Sequence, residues 1–451
     1  MLAALREMDR RQWSAAVASF LGWTLDAFDF FLMVFMFAAI ARDFHASIAA
    51  VAAASAVTLA ARPFGALFFG LLADRYGRRP VLMVDVLAFS ALELAAAFAP
   101  SLPALIVLRA AFGFAMGGEW GVGASLALET APARARGAIS GLLQEGYAVG
   151  YLLAALAFAL LFDKIGWRGM FMIGVIPALL AGFIRLGVAE SPAFAAPRPR
   201  ARQGVGMWGL GLGAAAVALA PSLLAIRWPA HLLTFVYAID APLALAGLLI
   251  FRRFWKLALY VVALMTAFNL FSHGTQDLYP TFLTRQHHLP TATVGFLTAL
   301  ANVGAILGGL GFGAWSEALG RRRAIMVAAL ASLLVIPLWA FSHTLAALAA
   351  GAFLIQVMVQ GAWGVIPAHL NELSPGEVRG AFPGFLYQCG NLLASGLIVW
   401  QARLAEARGG DYGSALAIVA ALVAILILVL VVAGPERRQV ALAGVKAPEP
   451  T

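Results

Sequence analysis

The chain runs to 451 residues, 62% of them hydrophobic and only 12% charged, with a mean hydropathy of +0.88. A soluble domain of this length has no use for so much apolar surface, so the composition points to a membrane protein with many spans. The formal net charge of +9 lies in short basic clusters between apolar stretches, which argues against nucleic acid as a partner and for the lipid bilayer.

About 20 apolar residues cross the hydrocarbon core. The first such span, 14–40, is too long for a cleaved signal peptide and is expected to stay as a helix. It carries Asp26 and Asp29, three apart in LGWTLDAFDFF and therefore on one helix face. The second span, 48–72, holds Arg62 beside Pro63. A planar, permanently charged fork suits a carboxylate; the alternative is a structural pair with Asp26 or Asp29. After the loop GLLADRYGRR comes the third span, 80–99, with Asp85 and Glu93 expected near its surface. Arg109 lies within the fourth, 103–128, and Glu119 follows in GGEWG. The fifth, 137–161, holds Glu145, and a sixth covers 167–187. Any of Asp26, Asp29, Glu119 and Glu145 can carry a coupling proton, since burial and nearby arginines act on a carboxyl in opposite senses.

A proline-bearing linker, ESPAFAAPRPRARQG, leads into two further apolar segments, 206–226 and 230–251, interrupted by Arg227, His231 and Asp240. Six more spans are expected at 255–283, 291–314, 322–342, 345–370, 380–403 and 413–433. The expected architecture is all-α, with about fourteen transmembrane helices. It divides into a six-helix bundle over 1–190, a linker with two extra helices over 191–253, a second bundle over 254–434 and a polar tail over 435–451. If the spans alternate, the basic clusters fall on one side, which predicts an inner (plasma) membrane protein with both termini in the cytoplasm.

The halves repeat. GLLADRYGRR begins at Gly70 and GAWSEALGRR at Gly313, 243 residues on; ETAPARARG at Glu129 and ELSPGEVRG at Glu372 share that displacement. Repeated six-helix halves around a midplane site are a transporter architecture.

The most informative stretch is NLFSHGTQDLYPT, inside the span at 255–283. Asn269, His273, Asp277 and Thr281 recur every fourth residue as one slowly winding stripe, with Ser272 and Gln276 beside it. Ionisable groups at such depth usually face a bundle interior or a water-filled path. His273 and Asp277 are close enough to interact, and histidine changes charge near physiological pH. The stripe reads as a substrate and proton pathway. Gln388 and Asn391, three apart in YQCGNLLAS, can bond a hydroxyl or carboxylate, or act as helix–helix glue. No phosphate-binding loop, HExxH or GxSxG occurs, and Cys389 is alone. No enzyme activity, metal or cofactor is expected.

The loop GLLADRYGRR resembles the cytoplasmic motif of the major facilitator superfamily. Its Asp74, with Arg75, Arg78 and Arg79, can form a charge latch that breaks as the halves rock. Glu317 and Arg321 in the echo of that loop, and Arg136, are assigned to gating with it. Arg109 resembles the superfamily's intramembrane arginine and joins them. LDAFDFF, GGEWG and the extra helix pair are similar to the sialate:proton symporter-type family. NLFSHGTQDLYPT fits the pattern N-x-x-[ST]-H-x-[ST]-Q-D-x-x-x-T of that family's lactate/pyruvate permeases at every fixed position.

The resemblance implies a proton-coupled symporter of a small monocarboxylate, working as a monomer. Arg62, Asn269, His273, Gln276, Gln388 and Asn391 would meet the substrate, and His273, Asp277 or one of the four acids would take the proton. A sialic acid symporter is the alternative within the family. A drug/proton antiporter and a non-transporting metabolite sensor are the outside rivals.

Overall fold

The computed structural model describes residues 8–437 apart from 47, 192–193, 195–205, 228–230, 380 and 396. Most of the proline-bearing linker and the tail beyond 437 lie outside the described residues, as does the side chain of Thr281.

The first half is built from α1 (Arg10–Asp43), α2 (Ile48–Tyr76), α3 (Arg78–Ala97), α4 (Leu102–Met116), α5 (Glu119–Thr130), α6 (Arg136–Ile173) and α7 (Pro177–Gly187). The Asp9 side chain starts α1 by accepting from Gln12 N–H at 2.8 Å, while Gln12 returns the bond at 3.0 Å, a capping box. The expected fourth span is two helices, α4 and α5, parted at Gly117–Gly118. The fifth and sixth join as α6, bent at Gly166, whose φ is +62°.

Between the halves, α8 (Gly206–Arg227) packs on α2 and α4. The segment expected as a second helix is broken instead. A single turn α9 (Leu232–Phe235), a π turn (Val236–Asp240), α10 (Ala241–Gly247) and a 3₁₀ stretch (Leu248–Phe254) succeed one another against α2 and α16. Pro242 has no N–H to donate back along the helix, which accounts for the wider turn before it.

The second half comprises α11 (Trp255–Gln276), α12 (Tyr279–Arg285), α13 (Thr291–Leu319), α14 (Arg321–Phe341), α15 (Leu345–Leu373), α16 (Phe382–Ala394), α17 (Leu397–Ala407) and α18 (Tyr412–Ala433). The polar stripe does not ride one unbroken helix. Pro280 stands in the first turn of α12, and α11 stops at Gln276, so Asp277 occupies a turn at the helix end. Among the described residues no strand occurs, and eleven helices are long and apolar enough to cross a membrane.

The halves meet along two seams, α2 with α16 and α6 with α13 and α15. The repeated loops turn alike: Gly77 and Gly320 have φ of +106° and +97°, a region that costs a side chain dearly.

Candidate functional site: a cavity between the bundles, pinned at one end

A cavity of about 450 Å³ lies between the halves. Phe31, Tyr147 and Tyr151 face it from the first half, and Gln276, Asp277, Gln356 and Leu397 from the second. Its narrow inner end, shared through Phe30, Tyr147, His273, Gln360 and Asn391, reaches Arg62, Asn269 and Gln144. Among the described residues Arg62 is the only arginine or lysine lining this space.

Arg62 is held from behind. Its Nη2 lies 3.4 Å from both carboxyl oxygens of Asp26 and 2.8 Å from the sulfur of Met116, with the guanidinium 5.7 Å from the Phe30 ring centre. Among the described residues its Nε has no hydrogen-bond partner. Arg62 therefore pairs with an acid and also lines the cavity. Among the described residues the indole nitrogens of Trp23 and Trp363, which also line the inner end, have no partner, nor do the carbonyl oxygens of Gln144 and Asn391. The inner end thus offers one guanidinium, spare N–H donors and spare amide acceptors to a guest.

The stripe opens onto this space. His273 Nδ1 lies 3.1 Å from Asp277 Oδ2, with both side chains about a quarter to a third exposed. Asn269 lines the inner end while its amide donates to Met265 O at 2.8 Å. Gln276 donates to Gln356 Oε1 at 2.8 Å. Gln388 does not line the cavity; it accepts from Asn391 Nδ2 at 3.3 Å and stands behind it.

At the opposite ends of α2, α5, α13 and α15 the halves are closed. Arg78 bridges Asp74 at 2.9 Å and Glu129 at 3.2 Å. Arg321 bridges Glu317 at 2.6 Å and Glu372 at 3.0 Å. These triads are 243 residues apart, and each sends its first acid across a seam. Asp74 Oδ2 accepts from Ala381 N–H at 3.2 Å, and Glu317 Oε1 accepts from Gly137 N–H at 2.5 Å. Charge-assisted bonds of this kind are the stronger class.

Around them Ser140 Oγ donates to Gly364 O at 2.7 Å, Ser125 Oγ to Arg379 O at 3.2 Å, and the Trp120 and Tyr387 rings meet at 4.6 Å. A Cβ on Gly141 would meet Gly309 O at 2.6 Å, so glycine alone lets α6 and α13 approach this closely. Arg136 Nε donates to Leu128 O at 3.1 Å near the same end, Arg75 is exposed against Tyr76, and the Arg79 backbone donates to Glu190 at 3.2 Å.

The remaining candidates lie elsewhere. Asp26, Asp29 and Glu119 are fully buried in the first bundle, and among the described residues only Asp26 of the three forms an ion pair, with Arg62. Glu145 packs on Gly309 at the α6–α13 seam. Arg109 is ion-paired with Glu93 over the Phe112 ring, 3.9 Å from its centre. The expectation that Asp85 and Glu93 lie near the surface of α3 is incorrect: both are 0% exposed. They sit on the face of α3 that packs into the bundle, and an ion pair for Glu93 makes that burial tolerable.

Sequence reasoning missed Trp23, Gln144, Tyr147, Gln360, Trp363 and Tyr387, because an aromatic or amide inside an apolar helix has no spacing that separates cavity from core. Glu190 and Glu436, which cap the Arg78–Arg79 and Arg321–Arg322 backbones, lie beyond the repeated motifs.

The sequence profile described as "Sugar (and other) transporter" matches residues 14–204 and 256–437. Among relatives, a "carboxylic acid transporter protein homolog" of Saccharomyces cerevisiae is 28% identical over 96% of this chain and 70% of its own length. The sialic acid transporter NanX of Escherichia coli is 25% identical over 85% of each. Among solved structures, a double-tryptophan mutant of XylE superposes with a TM-score of 0.69 at 17% identity, covering 96% of this chain and 98% of that one. The human organic anion transporter MFSD10 gives 0.63 at 16% identity, over 93% and 100%. Two bundles, a cavity between them, repeated pins and a profile that spans both halves lead to one assignment: the chain belongs to the sugar (and other) transporter family of major-facilitator membrane proteins, a family of transporters rather than enzymes.

Proposed function

We propose that this protein is a proton-coupled symporter of a small organic monocarboxylate, lactate- or pyruvate-like, in the cell's inner membrane, with both termini cytoplasmic. The observation that carries this is the lone guanidinium of Arg62 at the inner end of the cavity, backed by Asp26 and facing the His273–Asp277 pair across the bundles.

A substrate carboxylate would take the free edge of Arg62, whose Nε has no partner, and compete with Asp26 for the same positive charge. Asp26 then loses its counter-ion and accepts a proton. The loaded site would so carry no more net charge than the empty one, which lowers the barrier to crossing. The carbonyl of Asn391 would accept from a substrate hydroxyl, with Gln388 holding that amide from behind. Asn269 and Gln276 would complete the substrate's surroundings. His273 and Asp277, nearer the wide part of the cavity, would relay the proton, while Asp29, Glu119 and Glu145 remain further candidates for it.

Asp74 and Glu317, with Arg75, Arg78, Arg79, Arg136 and Arg321, would form the gate whose breakage lets the halves rock; Arg109, expected to join them, is instead paired with Glu93 inside the first bundle. The named relatives handle carboxylic and sialic acids, both of which bear a carboxylate. Sialic acid is the second reading, favoured by a cavity of about 450 Å³ that exceeds what a three-carbon acid needs.

Uptake of labelled lactate, pyruvate and sialic acid into proteoliposomes, each with and without an imposed proton gradient, tests the reading. Gradient-driven uptake lost in Arg62→Ala and in His273→Ala supports it. Binding without exchange in a counterflow assay would identify a sensor instead, and normal transport by both His273→Ala and Asp277→Asn would remove the stripe from the mechanism.

A further inference from the structure

The chain between the bundles lies where the halves part. α8 packs on α2 and α4, both of the first half. The stretch after it crosses over: α9, the π turn and α10 all touch α2, and α10 also touches α16. Further along, the Phe251 ring meets Phe382 and Phe385 of α16 at 5.2 and 5.9 Å. A Cβ on Gly247 would come within 2.7 Å of the Phe385 ring. The 3₁₀ stretch then runs straight into α11. The segment from Leu232 to Phe254 therefore follows the α2–α16 seam, with one half on each side of it.

At the cavity end this segment enters the wall. Ser55, Ala56 and Leu59 form the α2 edge of the cavity, and Ala394 and Ser395 the α16 edge. Val236 of the π turn lines the cavity as well, and among the described residues it alone does so from the chain between the bundles. Its neighbour Tyr237 does not line the cavity and is 37% exposed, yet its hydroxyl lies 2.6 Å from Ser395 Oγ. One residue of the turn thus faces inward, and the next reaches the end of α16 from outside. The break into four short pieces fits this position. A π or 3₁₀ turn within a helical segment is a place where the angle between neighbours can change.

We infer that the segment from Leu232 to Phe254 is a movable side wall of the cavity. Val236 fills the gap between α2 and α16, and the Tyr237–Ser395 contact makes the wall travel with the second half. Without it the halves would part onto lipid chains on this side, and the polar groups of the cavity would face hydrocarbon, where they are costly. The inference rests on the proposed transport cycle only for the rocking of the halves, and it gives the wall no part in holding a carboxylate or moving a proton.

The test uses the full-length protein in liposomes with Cys389, the lone cysteine, replaced by serine. Ala56→Cys then puts a thiol on the α2 edge, at a half-buried position facing the cavity. Two maleimides read it, one charged and confined to water, the other carried on a lipid acyl chain. With the wall intact the water-borne reagent is expected to react far faster than the lipid-borne one. Tyr237→Phe deletes only the hydroxyl and should raise the lipid-borne rate roughly fivefold, the worth of about one neutral hydrogen bond. Tyr237→Ala, which also removes the ring, should raise it further. A thiol reached as fast from lipid as from water in the intact protein overturns the inference. So does a thiol that the water-borne reagent does not reach, or a lipid-borne rate that neither Tyr237 substitution changes. Uptake of lactate, pyruvate and sialic acid by the same samples keeps the two readings apart. A sealed wall without uptake of any of them sinks the substrate assignment and keeps the wall, while uptake with the thiol open to lipid does the reverse.

Discussion

The pins at the closed end make a quantitative forecast. Asp74→Asn and Glu317→Gln keep the shape of each side chain and leave Arg78 and Arg321 their second acids, Glu129 and Glu372. What is lost is the charge on the two bonds that cross between halves, to Ala381 N–H and Gly137 N–H. A hydrogen bond to a charged group contributes roughly 1.5–3 kcal/mol. Asp74 and Glu317 are 12% and 16% exposed, so the lower figure applies, about 1.5 kcal/mol for each, or about tenfold in the closed-to-open ratio. The two pins cross different seams, so their effects should add, and the double variant should shift the ratio on the order of 100-fold.

A thiol placed at the seam reads this directly. In a Cys389→Ser background, Ser140→Cys is buried at the α6–α15 contact and reacts only when that end opens. Its alkylation rate should rise about tenfold with either pin substitution and on the order of 100-fold with both. A rate unchanged in the double variant would refute the reasoning that these charges hold the end closed.

Three further outcomes follow from the same geometry. Glu93→Gln strands Arg109 as a buried charge and should destabilise the protein by about 3–5 kcal/mol, read as a lowered midpoint in thermal unfolding; pairing it with Arg109→Met should restore much of the loss. Gly141→Ala drives a Cβ into Gly309 O, so it should raise alkylation of the Ser140→Cys thiol and cut uptake while leaving the midpoint nearly unchanged. Outside the spans, the Arg168 guanidinium bonded to Asp43 holds that carboxyl below its usual range. A depressed folded-state value gives stability that is present above the unfolded pKa and fades as pH falls through the folded one. The pair is 43% and 44% exposed, so Asp43→Asn should remove only a slight acid-side slope in a stability-against-pH series.

What the sequence made legible follows from what repeats. The Asp74 loop and its echo, and the glutamates opening ETAPARARG and ELSPGEVRG, sit 243 residues apart because both halves solve one problem, and the structure joins each set into a triad. The stripe from Asn269 to Asp277 was visible because polarity is costly in lipid. Its break at Asp277 is explained by Pro280 once the structure is seen, yet prolines within α2, α14 and α15 break nothing. Periodicity told which residues share a helix face and not which way that face points. Asp85 and Glu93 were for that reason read as peripheral, and Gln388 as a cavity residue. The aromatic lining gave no signal, since Trp23 or Tyr387 inside an apolar run looks like core.

The two ends of the molecule close by different physics, and this bears on how it can cycle. At the inner end of the cavity the unsatisfied groups are donors and acceptors awaiting a guest: Arg62 Nε, the Trp23 and Trp363 indoles, and the Gln144 and Asn391 carbonyls. Their desolvation is relieved only when something polar enters. At the pinned end the acids and arginines are already ion-paired with one another, with Arg78 and Arg321 0% exposed. Separating a buried ion pair inside protein is strongly unfavourable, but parting it into water returns most of the desolvation free energy. A seam built from charges and glycine-backed backbone contacts can therefore open into an aqueous compartment at modest cost, whereas an apolar seam of equal area would resist it. In the proposed cycle, filling the inner site would remove the penalty that favours the wide-open cavity, and the hydration of the parted triads would offset the bonds lost. Occupancy at Arg62 would thereby be linked, in that cycle, to the state of Asp74 and Glu317 by desolvation, without a continuous chain of contacts between them.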